Sequence, residues 1–425
     1  MSKITKIQAR EILASGGAPT LEVTVILESG AIGEASVSYG ASAGSKEATV
    51  LLDGDKKRYG GKGMLVALAN ITDKIAPVLI GIEANNQREI DNKMIELDGT
   101  TNKAVLGGNA ILGVSMAASN AAARELRIPL WKYLQQTFDL PNPSTSSGLK
   151  LPKPMVVMIE GGKHAANSTD LQEFMVAAMG NKSAAENVRM EMEIYDELKK
   201  ILKREGKSTN VGNEGAFAPN GIESNEKPME YMMEAIKNAG YTPGLDAGIS
   251  IDAAASEFQD ETSKKYILKI ENKELTSEEF VEYLMKWTEK YPFVSWEDML
   301  SEFDWEHWPL MVEKIGGKFP LIADDLTVTN TKLWQEAIDK KAATAILIKL
   351  NQAGSVTETV DCCKLAIEHG LWTVPSHRGG GESNDTFMVD LAVAVGSEYI
   401  KVGPTRGERV CKYNRLMRIE EEMKI

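Results

Sequence analysis

The sequence predicts an α/β protein, a parallel (β/α) barrel preceded by a smaller α+β domain. Three observations carry this. Six short apolar runs, Gly248-Ile-Ser-Ile, Phe293-Val-Ser-Trp, Pro320-Leu-Ile-Ala, Ala345-Ile-Leu-Ile, Leu371-Trp-Thr-Val and Glu398-Tyr-Ile, alternate with helical segments. Such alternation implies a parallel sheet, and so many units in one domain favour closure into a barrel. A stretch dense in proline and serine, Leu140 to Pro154, sets these runs apart from an N-terminal part with a different pattern. Each run is also followed, at once or within a few residues, by an ionisable side chain.

From the N-terminus, Leu21-Glu-Val-Thr-Val-Ile-Leu27 alternates in part, Glu28-Ser-Gly30 supplies a turn, and Ala31 to Tyr39 reads as the partner strand. Gly108 to Ala123 is rich in alanine and other small residues, as a closely packed buried helix requires. Four prolines between 140 and 154 can continue neither a helix nor a ladder. The expected organisation is therefore an N-terminal α+β capping domain over 1–140, a linker over 141–154 and the barrel over 155–425. Within the barrel, Ser183 to Glu205 reads as an amphipathic helix with Val188, Tyr195, Leu198 and Leu202 on one face and Gly206 as its stop. Thr276-Ser-Glu-Glu279 and Ser355-Val-Thr-Glu358 are capping boxes opening two more helices, the second closed by Gly370.

Composition narrows the function. Lys and Arg total 48 against 61 for Asp and Glu, a net charge of −13, which argues against a nucleic-acid partner. An anionic substrate then needs a local reversal of the field, such as bound divalent cations. Three cysteines, Cys362, Cys363 and Cys411, imply no disulfide framework and fit a reducing cytoplasm; the adjacent pair reads as small core residues rather than nucleophiles. No apolar run approaches the ~18 residues of a membrane span, and the first residues lack the apolar core of a signal peptide.

The ends of the runs carry the chemistry. Asp252, Glu297, Asp324, Lys349, His377 and Lys401 follow successive runs at separations of 45, 27, 25, 28 and 24 residues, each about one βα unit. The carboxyl ends of barrel strands converge on one mouth, so these six should face a common cavity. One charged residue after a strand is usually a solvated loop residue; six in register are not independent accidents. Asp252, Glu297 and Asp324 are hard oxygen donors that would repel one another unless a divalent cation lay between them, and Mg²⁺ is the metal their chemistry selects. Lys349, His377, Arg378 and Lys401 form a cationic wall. A lysine beside Mg²⁺ and other cations should have its pKa depressed and act as a general base, removing a proton α to a carboxylate. Arg378 suits bidentate recognition of phosphate or carboxylate.

These residues stand in segments that resemble enolase along nearly the whole chain. The resemblance is carried by Tyr39-Gly-Ala-Ser-Ala-Gly44, Gly108-Asn-Ala-Ile-Leu-Gly-Val-Ser115, Gly161-Gly-Lys-His-Ala165, Asp170-Leu-Gln-Glu-Phe174 and Asn213-Glu-Gly-Ala-Phe-Ala-Pro219, and further by Ser295-Trp-Glu-Asp298, Ala323 to Asn330, Ile348 to Gly354, Ser376-His-Arg378 and Arg418 to Glu422. It implies a TIM-like (β/α)8 barrel of the enolase type, two Mg²⁺ per active site with the second substrate-assisted, and reversible dehydration of 2-phospho-D-glycerate to phosphoenolpyruvate. Position by position, Asp252, Glu297 and Asp324 match the ligands of the first magnesium, and Ser42 the residue that helps close over the second. Lys349 matches the base that takes the C2 proton. Glu214 matches the acid at the C3 hydroxyl, with Glu173 and Gln172 beside it. His164, His377, Arg378 and Lys401 match substrate-contacting positions, His377 standing with the catalytic group, and Gly379 follows Arg378 beside the phosphate. The resemblance further implies a homodimer or higher homo-oligomer, with a small phosphorylated acid as partner and neither nucleic acid nor membrane. It places the chain in the cytoplasm with a secondary cell-surface or secreted pool.

Several positions depart from the family pattern. The usual Asp-Ser-Arg-Gly-Asn-Pro-Thr reads Ala14-Ser-Gly-Gly-Ala-Pro-Thr20 here, Glu160 replaces an Asn, Lys163 a Glu, Asn213 an Asp, Ala216 a Gly and Gly379 a Ser. Asn213 removes a like charge beside Glu214, so that carboxylate should be pushed less toward its protonated form. These changes ring the site while the central acids and base persist. They leave open a phosphoglycerate analogue as substrate for a diverged copy. A non-catalytic surface-binding role is disfavoured, because keeping mutually repelling carboxylates without a metal would be costly.

Overall fold

The computed structural model describes residues 2–40, 46–141, 144–145, 148–149, 151–166 and 168–424. Ser42 and, within the 141–154 stretch, residues 142–143, 146–147 and 150 lie outside the described residues.

The N-terminal domain opens with a three-stranded antiparallel sheet, β1 (Ile4–Leu13), β2 (Pro19–Leu27) and β3 (Ile32–Ser36), in that order. The turn expected at Glu28–Gly30 joins β2 to β3, with Gly30 at φ +87°; β1 was not legible in the sequence. The Gly108–Glu125 helix lies flat on this sheet, and its small residues are what allow it. A Cβ at Gly113 would stand 2.8 Å from Leu21 and Val23 side-chain atoms, and one at Gly33 would stand 2.1 Å from the Ala117 carbonyl oxygen.

The barrel follows with β4 (Lys153–Glu160), β5 (Glu173–Ala178), β6 (Ala247–Asp252), β7 (Phe293–Glu297), β8 (Leu321–Ala323), β9 (Ala345–Ile348), β10 (Trp372–Pro375) and β11 (Tyr399–Val402). The six predicted runs are β6 to β11, and β4 and β5 complete the eight. The hydrogen-bonded order is β10-β9-β8-β7-β6-β5-β4-β11, and a parallel bridge between Ser376 and Lys401 closes the ring. One strand departs from the all-parallel expectation. β5 pairs antiparallel with both β4 and β6, because residues 161–172 connect β4 to β5 directly, without the helical crossover that parallel pairing requires.

Alternation along the strands divides the core. Met155, Val157, Met175, Ala177, Ile322, Leu347 and Val374 fill the barrel interior, while Val156, Ile249, Trp296 and Ile346 face the surrounding helices. The Ala184–Arg204 helix starts at Ser183, whose hydroxyl accepts the Glu186 N–H, and stops before Gly206 at φ +66°. Its buried face differs from the predicted one: Met190, Ile194, Leu198, Ile201 and Leu202 are buried, with Val188 and Tyr195 at its edges. Tyr195 serves the site instead, stacking on Phe217 at 4.3 Å and donating to the Gly215 carbonyl at 2.8 Å. The Thr276 capping box is complete. At Ser355 the hydroxyl accepts the Glu358 N–H, but the Glu358 carboxylate turns to that hydroxyl and to Lys103. Cys362 and Cys363 are free and buried. Among the described residues no helix is long and apolar enough to cross a membrane.

Candidate active site

The carboxyl ends of the barrel strands open into a cavity of about 520 Å³ under the N-terminal domain. His164, Gln172, Glu173, Glu214, Asp252, Asp324, Lys349, His377, Arg378, Gly379 and Lys401 line it, so nearly every nominated residue meets in one place. Glu297 lies just beneath, fully buried, and touches the cavity through Lys401. Glu47 of the N-terminal domain closes one side. The Ala48 N–H bonds the Gln352 carbonyl at 2.9 Å, and the Gln352 amide reaches Asp324 at 3.0 Å.

Two lysines hold the three expected metal ligands. Lys401 Nζ lies 2.7 Å from Asp252, 2.7 Å from Glu297 and 2.9 Å from Glu173, and Lys349 Nζ is seated on Asp324. The expected convergence of Asp252, Glu297 and Asp324 on one point is therefore partial, since each carboxylate faces an ammonium. Burial pulls the Lys349 ammonium toward deprotonation, but the Asp324 charge outweighs it and the pKa is raised. The expectation of a depressed lysine is reversed in this arrangement, because its nearest neighbour is an anion rather than a cation.

The donor set nonetheless fits a hard divalent cation. Three carboxylates stand at neighbouring strand ends, and Glu297 Oε2 is buried with no hydrogen-bond partner, a cost that a cation would remove. Asp298 and Asp325 add to this acidity and were not nominated from the sequence. Asp298, Asp324 and Asp325 bring ligand oxygens within 4.8 Å of one another. Asp298 also receives the Asp324 and Asp325 N–H groups at 2.9 and 2.8 Å. The signal was available: each follows a nominated acid directly in the chain.

Across the cavity, Glu214 sits between two imidazoles. His377 Nε2 is 3.5 Å and His164 Nδ1 3.7 Å from its carboxylate, and His164 Nδ1 is also 3.3 Å from Glu173. Burial alone would raise the Glu214 pKa, but His377 and His164 outweigh it and hold the carboxyl well below its ordinary range. For His164 burial opposes the charge, yet Glu214 and Glu173 prevail and push the imidazolium up to about 9. The two imidazoles, and not the Asn213 amide on which the sequence expectation rested, account for the lowered Glu214 pKa. Arg378 donates to Asn351 at 3.2 Å and faces Glu47 at 3.9 Å. Gly379 packs on Glu214 and His164, where a Cβ would stand 2.6 and 2.9 Å from their nearest atoms.

A cavity with a buried lysine at one strand end, a carboxylate clamped by histidines across it and an acidic floor can remove a proton from carbon and deliver one to a leaving oxygen. Two family models match the chain: Enolase, N-terminal domain, over residues 4–134, and Enolase, C-terminal TIM barrel domain, over residues 148–424.

Proposed function

The chain belongs to the enolase family, a lyase of the enolase type, and from that premise we propose that it catalyses the reversible dehydration of 2-phospho-D-glycerate to phosphoenolpyruvate. The observation that carries the reading is the pair of opposed groups in one cavity, Lys349 on Asp324 and Glu214 between His164 and His377.

Lys349 Nζ takes the C2 proton, placed at its strand end by a backbone N–H bond of 3.0 Å to Thr329 Oγ1. Asp252, Glu297 and Asp324 would hold Mg²⁺, which supplies positive charge beside the substrate carboxylate as the proton leaves and takes up the Asp324 charge that otherwise holds the Lys349 ammonium. Glu214 gives a proton to the departing C3 hydroxyl. In the ionised form described above it is set for the reverse direction, accepting a proton from attacking water. His164 Nδ1, protonated to about pH 9, stores a proton 3.7 Å from Glu214. Arg378 offers a bidentate donor for the phosphate, and the N-terminal domain walls the cavity from water through Gly40 and Glu47. Lys401 fixes Asp252, Glu297 and Glu173 in register.

The test is direct. Purified protein with Mg²⁺ and 2-phosphoglycerate should produce the ultraviolet absorbance of the enol phosphate. No turnover at saturating metal would overturn the proposal.

A further inference from the structure

Glu160 ends β4 and takes no part in the chemistry proposed above, yet it is wholly buried. A register irregularity between Val157 and Ile159 sends both Met158 and Ile159 into the apolar layer around the barrel, and the next residue comes round beneath the turn that carries Glu214. There Glu160 Oε1 accepts two backbone N–H bonds, from Glu214 at 2.9 Å and from Ala216 at 3.0 Å. Oε2 is buried with no hydrogen-bond partner, against Gly212, where an added Cβ would stand 2.1 Å from it. An ionised carboxylate here would place charge on an oxygen that nothing solvates, whereas a protonated one would not.

The turn is also tied by bonds that involve no charge. The Glu160 N–H bonds the Phe217 carbonyl at 2.8 Å, the Phe217 N–H bonds the Met158 carbonyl at 3.0 Å, and the Tyr195 and Thr405 hydroxyls reach the Gly215 carbonyl at 2.8 and 3.0 Å. A neutral amide could accept the same two N–H bonds, so holding the turn does not by itself call for an acid. The titratable groups facing Glu160 are Glu214 on the turn, His164 on the β4–β5 connection, Tyr195 on the Ala184–Arg204 helix and Glu173, its register partner on β5.

We propose that Glu160 is a positioning residue for Glu214: it holds the turn through two N–H bonds and carries one proton whose presence or absence is felt by the Glu214 carboxyl. Burial first, and the Glu214 charge second, push the Glu160 carboxyl up to about 8, with His164 opposing. Below that pH Glu160 is neutral and Glu214 stays ionised beside its histidines. Above it, a second negative charge arises behind Glu214 and raises the affinity of that carboxyl for a proton. The effect on turnover rests on the function proposed above; the coupling between the two carboxyls does not.

Infrared titration of the protein between about pH 6 and 10 tests the coupling without substrate. Beside the signal of other buried acids such as Glu191, whose pKa burial also raises, a protonated-carboxyl component should fade near pH 8 in the wild type and be missing in Glu160→Gln. In Glu214→Gln its midpoint should move to lower pH, by about tenfold or more in proton concentration. The pH profile of kcat/KM should show a transition near pH 8 that Glu160→Gln loses. A Glu160→Gln band and profile that superimpose on wild type, or an unmoved midpoint in Glu214→Gln, would overturn the inference. Shifted bands in a protein inert toward 2-phosphoglycerate would support the coupling and count against the proposed reaction alone.

Discussion

Lys401 Nζ stands 2.7 Å from Glu297 Oε1, while the other oxygen of that fully buried carboxylate has no hydrogen-bond partner. The same ammonium is shared with Asp252 and Glu173, so one cation carries the charge of three carboxylates. Burial opposes its charge, but Asp252, Glu173 and Glu297 raise its pKa well above the ordinary lysine value.

Removing that cation strips the ionised Glu173 of its partner, and also Asp252 and Glu297, whose pKa values burial already raises. Lys401→Met should therefore lose about 3–5 kcal/mol of stability in chelator. Mg²⁺ should return more stability to the variant than to the wild type, since the metal would meet a bare acidic site. Urea unfolding with EDTA and with Mg²⁺ measures both, and equal stability in chelator would contradict this account of the pairing.

The two sides of the cavity should separate in isotope exchange. Lys349→Ala should lower kcat by about 10²–10⁴ and abolish exchange of the C2 proton with deuterated solvent. Glu214→Gln should lower kcat comparably but keep the exchange, because the lysine remains. Proton NMR of 2-phosphoglycerate during incubation reads this. Exchange that survives Lys349→Ala would assign the base elsewhere.

Charge at strand ends made the barrel and its mouth legible, since Asp252, Glu297, Asp324, Lys349 and Lys401 each follow an apolar run of strand length. β4 stayed hidden because Lys153 and Pro154, its first residues, close a proline-rich stretch, and prolines argue against a strand. The reversal of β5 could not be seen, because a continuous apolar run such as Phe174 to Ala178 carries no mark of its direction. The pairing of the acids was also out of reach. Sequence puts Asp324 and Lys349 at adjacent strand ends, but only geometry shows that the ammonium takes the carboxylate and raises the lysine pKa. Glu160 was visible as an oddity, and its meaning lies in two backbone bonds that no pattern of side chains encodes.

His164 should make stability fall with rising pH. Its folded pKa of about 9 lies above the ordinary 6.5. A pKa raised on folding contributes stability that is complete below the lower value and lost as pH climbs through the upper one. The contribution is about 3 kcal/mol. Denaturant unfolding of wild type and His164→Gln should therefore show a gap that narrows by roughly that amount between pH 6 and 10. A constant gap would mean that the imidazole stays neutral beside Glu173 and Glu214.

Gly379 offers the sharpest contrast between pattern and packing. The family pattern has a serine here, so Gly379→Ser is the substitution that pattern suggests for restoring a hydroxyl donor beside the phosphate. The geometry gives the opposite expectation, since any Cβ at this position would stand 2.6 Å from Glu214 Oε1 and 2.9 Å from His164 Cε1. Either the side chain moves the carboxylate that serves the leaving hydroxyl, or the Gly379–Gly381 loop shifts and carries Arg378 with it. A displacement of about 1 Å in a catalytic group costs on the order of 10²-fold in rate. Gly379→Ser should thus lose activity mainly in kcat, with Gly379→Ala losing as much, because the obstacle is the Cβ and not the hydroxyl. Steady-state kinetics of the two variants decides it; a serine variant faster than the alanine one, or than wild type, would show that the loop makes room and the hydroxyl finds the phosphate.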